Sequence, residues 1–123
     1  MPKSLRYTFL VHALVSLLFG AALLAAPGRF LGLFGWEPVD PLLSRVLGAA
    51  LLALAWSSYR GFRAAERRQV ALLVELEAAF CVLAAAGLLR QMVGYYYPWY
   101  VWTLLGVFAL FAVAWVWALL KKF

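Results

Sequence analysis

The feature that most constrains this chain is how its charges are spaced. They gather in clusters separated by apolar runs of about 20 residues, the length a helix needs to cross the roughly 30 Å hydrocarbon core of a bilayer. The runs lie at about 5–26, 42–59, 69–89 and 99–120. Hydrophobic residues make up 67% of the chain and charged residues 13%, about half the charge of an average soluble domain. A soluble chain this short has no interior large enough for so much apolar surface, so lipid must cover part of it. The expected fold class is all-α: an integral membrane four-helix bundle, up-down-up-down, forming a single transmembrane domain over residues 1–123. The second run carries Gly48, Ala49, Ala50, Ala53 and Ala55, and the third Ala78, Ala79, Ala84, Ala85 and Ala86. Such small residues let helix backbones approach closely in lipid.

Local signals set the ends of the runs. Lys3 and Arg6 lead into the first, and Pro27-Gly28 closes it. A cleaved secretory leader has similar leading charges. Here the apolar run is long for a leader, and Pro27 directly after Ala26 is a poor cleavage context. Residues 27–41 hold three prolines and three glycines, with Phe30, Leu31, Leu33, Phe34 and Trp36 between them. This stretch is expected either as a short interfacial helix or turn with Trp36 at headgroup level, or as a hydrophobic loop folded onto the bundle mouth. Pro41 suits a first helical position. The fourth run places Trp99, Trp102, Trp115 and Trp117 mainly toward its two ends, as an aromatic belt would.

The net charge of +6 reads as topology. Four spans put the N-terminus, the middle loop and the C-terminus on one side. That side carries Lys3, Arg6, Arg60, Arg63, Arg67, Arg68, Lys121 and Lys122, and the other only Arg29, Arg45 and Arg90. The positive-inside rule then makes the first side cytoplasmic, in a plasma-membrane protein with both termini inside. The bias also argues against dual-topology insertion. No nucleic-acid motif accompanies the charge. A single cysteine, Cys81, permits no intrachain disulfide and no CxxC pair.

Ionisable groups at membrane depth are costly and therefore informative. His12, Glu75 and Glu77 lie about 10, 9 and 12 Å into their runs at 1.5 Å per residue. Glu75 and Glu77 stand roughly 200° apart around a helix and cannot face one partner. Glu77 shares a stripe with Leu73, Cys81, Ala84 and Leu88; Glu75 shares one with Ala71, Leu72, Ala79 and Val82. A stripe of His12 and Ser16 facing Glu77 and Cys81 would make a small polar pocket, the candidate intramembrane site. Three readings compete. In the first, one glutamate only bonds to His12, or to Ser57, Ser58 or Trp indoles, while the other reaches toward Arg67, Arg68 or Lys122. In the second, a carboxylate with a raised pKa binds a proton during transport. In the third, a carboxylate pairs with a group on a partner protein. One His and two diverging Glu make a poor metal shell, so neither metal nor cofactor is expected.

A second cluster, Glu37, Asp40, Arg45 and Arg90, is expected at the outer face. There Arg45 or Arg90 could meet Glu37 or Asp40 and close the extracellular mouth, or arginines and tyrosines could hold an anionic headgroup, with simple snorkelling of the arginines as the alternative.

P-loop, GxSxG, HExxH and CxxC motifs are all absent, and a lone His offers no bis-histidine haem site. An enzyme is therefore not expected. The segments Phe19-Gly20 through Pro27, Arg29-Phe30-Leu31-Gly32-Leu33-Phe34-Gly35-Trp36-Glu37-Pro38 and Arg45-Val46-Leu47-Gly48 resemble small bacterial four-helix membrane proteins of DoxX-like type. The resemblance covers about the first half and implies the same bundle, with no settled activity and no catalytic residues to carry over. The two glutamates of the third run have no counterpart in it. Small multidrug transporters share the size and helix count, but this chain lacks their glutamate in the first helix. The expected role is a non-enzymatic accessory or assembly subunit of a larger membrane complex, or a homo-oligomeric scaffold. The alternative is a small proton-linked transporter or channel using Glu77, Glu75 and His12. The lipid bilayer is the one assured partner, and nucleic acid is not expected to be one.

Overall fold

A computed structural model describes residues 3–36 and 40–121. Its elements are all helical: α1 (Lys3–Ala25), α2 (Pro27–Gly32), α3 (Pro41–Arg63), α4 (Arg67–Met92) and α5 (Trp99–Leu120). The four longer ones are each long and apolar enough to cross a membrane. The chain is an integral, multi-pass membrane protein.

Helix ends follow hydrogen-bonding groups rather than the limits of the apolar runs. Asp40 caps α3: its Oδ1 accepts the Leu42 and Leu43 amides at 3.0 and 3.2 Å, with Pro41 in first position. That helix continues past Tyr59 to Arg63, beyond the end expected from hydrophobicity, because arginine is a good helix former that lipid contact does not require. Likewise α4 begins at Arg67, where Gln69 Oε1 accepts the Ala65 and Glu66 amides at 3.1 and 3.2 Å. Only α5 has the bounds the apolar run predicts.

Within the 27–41 stretch the described residues 27–36 form the six-residue α2 and then a turn. Gly35, at φ +77°, takes the left-handed conformation that ends it. The Trp36 amide reaches the Leu31 carbonyl at 3.0 Å and the Gly35 amide reaches that of Gly32 at 3.1 Å, a Schellman closure. Phe30 stacks edge-on against Phe19 of α1 at 5.5 Å, and Phe34 against Phe30 at 5.6 Å. The segment thus folds its aromatic side back onto α1.

Contacts gather the chain into two compact units, one of Phe9–Arg63 and one made of the residues up to Thr8 with Ala64 onward. In the first unit α1 and α3 run antiparallel at very short range. A Cβ on Gly20 would lie 2.9 Å from the Gly48 carbonyl oxygen, and one on Gly48 would lie 2.6 Å from the Leu24 amide nitrogen. The backbones touch there, as small residues allow in lipid. Toward the other end the Phe9 ring lies flush on Gly61, leaving no room for a Cβ.

In the second unit α4 and α5 pack as a hairpin. Phe80 meets Phe108 edge-on at 5.8 Å, and Tyr97 in the connecting turn accepts a hydrogen bond from Gln91 Nε2 at 3.0 Å. Arg6 donates to the Ala64 carbonyl at 3.3 Å. The Trp pattern differs from a simple belt. Trp99, Trp102 and Trp117 are exposed, with Lys121 Nζ 4.7 Å above the Trp117 ring, whereas Trp115 is wholly buried. Ala112 and Ala118, three residues to either side, are buried as well, so Trp115 lies on the one stripe of α5 that faces protein.

Candidate functional site

The residues of α1 that face protein are Leu5, Phe9, His12, Ser16, Gly20 and Leu23, at steps of three and four. That is the narrow seam of a helix packed along its length on a neighbour. His12 and Ser16 are therefore placed by the same periodicity as the apolar residues around them. Buried positions on α3, among them Gly48, Leu51, Ala55, Ser58 and Gly61, keep a similar step. The two seams bring His12 Nδ1 to 2.8 Å from Ser58 Oγ, in a buried hydrogen bond. The bond lies between the Phe9–Gly61 contact and the Gly20–Gly48 crossing. Ser58 was not among the residues expected to meet His12, because that pairing depends on how α1 and α3 align.

In the other unit the two glutamates point apart. Glu77 is completely buried, with Val74, Ala78 and Cys81 of its own helix. Cys81 is a free, buried thiol. Glu75 is exposed, and no hydrogen bond or ion pair joins it to any described residue. Leu72, Ala79 and Val82, which share its stripe, are exposed too. So His12 and Ser16 occupy one unit, and Glu75, Glu77 and Cys81 the other.

The expected outer-face residues carry out separate tasks. Asp40 is spent on the α3 cap. Arg45 Nη1 donates at 2.6 Å to the carbonyl of Leu24, in the last turn of α1. Helix ends leave carbonyls without partners and carry partial negative charge, so a guanidinium there answers both. Arg90 is exposed in the last turn of α4, a favourable place for a cation. Glu37 lies outside the described residues. Among the described residues no three metal-ligating side chains come together. An open groove of about 350 Å³ runs along Val82, Ala112, Val113, Val116, Trp117 and Leu120, and its walls are apolar throughout.

No known protein family, curated protein or solved structure matches the chain. No relative lends it an activity, and its own side chains are the ground for a functional reading. They offer two arrangements: a polar fastening inside the α1–α3 pair, and a carboxylate turned outward from α4.

Proposed function

We propose that this protein is a non-enzymatic subunit of a larger membrane assembly, acting as an accessory or assembly factor or as a scaffold in copies of itself. The observation that carries the reading is Glu75. At 1.5 Å per residue, α4 is about 39 Å long, so a centred bilayer leaves each end about 4–5 Å outside the hydrocarbon. Glu75 then lies roughly 7–8 Å inside it. An intramembrane carboxylate ordinarily faces a bundle interior or a water-filled cavity. Glu75 is exposed, on a different face of α4 from the buried Glu77, so its place is understandable if another molecule covers it. The polar contacts of the α1–α3 pair support the same reading, since the buried His12 and Ser58 and the exposed Arg45 fasten helices together.

Gentle extraction from the native membrane, followed by mass measurement of the intact complex, tests this. The expected result is a stoichiometric larger assembly; recovery as a lone monomer overturns it. A second reading, proton-linked transport, is favoured by one observation, the completely buried carboxylate of Glu77. Under it, liposomes holding the protein show pH-driven flux that Glu77→Gln abolishes, and flux unchanged by that substitution removes the reading. The charge distribution supports insertion into a plasma membrane with both termini cytoplasmic.

A further inference from the structure

The exposed face of α4 has a defined form. Arg68, Leu72, Glu75, Ala79, Val82 and Ala86 are all exposed and follow one another at steps of four and three. That spacing keeps them on one stripe of the helix, the pattern of a seam that packs against a second helix along its length. Ala79 and Ala86 are two turns apart and small enough for a close backbone approach. Leu72 stands between Glu75 and the charged end, where Arg68 pairs with Glu66 at 3.6 Å. The stripe is thus a helix-packing surface with one acidic group set into its apolar part.

Charge decides among possible occupants. A second copy on a two-fold axis would present the same patch to itself. Glu75 would then meet Glu75, two like charges in a medium of low dielectric. Arg68 of that copy would be about 10 Å away along the helix, too far to compensate. Lipid amines stay at headgroup level, roughly 7–8 Å from the carboxylate. A basic side chain carried on another protein's spanning helix meets the need, since ionisable residues inside membranes pair with one another. We infer that the Glu75 face of α4 seats a transmembrane helix of a different protein, with a Lys or Arg of that helix paired to the Glu75 carboxylate. This rests on the subunit reading and narrows its partner.

The test uses the full chain in liposomes with a synthetic polyleucine transmembrane peptide. One version carries a single Arg at the depth of Glu75 and the other leucine there. Energy transfer between labelled protein and labelled peptide reports association. The Arg peptide should bind about tenfold more tightly than the all-leucine one, and Glu75→Gln should remove the difference. Glu75 is exposed, so this substitution leaves the packing of the chain intact. Equal binding of both peptides, or equal binding by the Gln variant, overturns the inference. So does protein–protein transfer without peptide that is lost in the Gln variant, which would assign the face to a second copy. Extraction from the native membrane separates the two levels. An assembly that persists with Glu75→Gln keeps the subunit reading and removes the role given to Glu75, whereas a monomer in the wild type removes both.

Discussion

His12 and Ser58 show what a polar residue does when it sits on a packing seam in lipid. The imidazole and hydroxyl satisfy each other across two helices, and losing either leaves the other buried without that bond. Ser58→Ala should therefore destabilise the protein by about 1–2 kcal/mol, read as a lowered unfolding midpoint in detergent. Asp40→Ala should cost about 1 kcal/mol by removing the α3 cap, and Asp40→Asn should recover most of it, because an asparagine oxygen also accepts the two amides. Circular dichroism of thermal unfolding checks both. At this scale some of the site was legible in advance. The angular step of a helix alone separates Glu75 from Glu77, and the latter goes inward with Cys81. The partner of His12 was not legible, because helical periodicity states which way a side chain points and not which residue of another helix it meets.

The α1–α3 pair depends on the absence of side chains. At Gly48 a Cβ would enter the backbone of α1, 2.6 Å from the Leu24 nitrogen and 2.8 Å from the Gly20 oxygen. Neither is the movable end of a side chain, so the helices must separate. Gly48→Ala should cost about 2 kcal/mol or more, and Arg45 would lose its 2.6 Å bond to the Leu24 carbonyl as the helices part. Gly106→Ala is the control: nothing lies within 4 Å of its Cβ position, and alanine favours a helix over glycine. That variant should be neutral or slightly more stable in the same melt. Small residues in the second run signalled close packing, and the structure identifies Gly48 as the one at the crossing. Helix limits were less legible, since apolar runs report where lipid lies while Asp40, Gln69 and Gly35 determine where helices begin and end. α2 was legible only as a choice between two forms, because six residues are too few for a periodic signal.

The most secure reading at the scale of the whole molecule was its class. Four long apolar helices follow from the spacing of charges, and they are the four long helices of the structure. Washing membranes at high pH should leave the protein in the bilayer fraction, and a reporter active only outside the cytoplasm, fused at the C-terminus, should stay inactive if both ends are cytoplasmic. Reporter activity would reverse the orientation assigned from the basic residues. The units had no sequence signature. The connection through Ala64 is short and charged, yet no shift in composition marks the boundary at Phe9 within the continuous α1.

The crossing of α1 and α3 also has a bearing on how the protein is made. Its contacts join Phe9 to Gly61, His12 to Ser58, Gly20 to Gly48 and Leu24 to Arg45. Chains are synthesised from the N-terminus and their early portions fold first. All of these partners precede the first residue of α4, so the contacts that join α1 to α3 need no residue that is synthesised later.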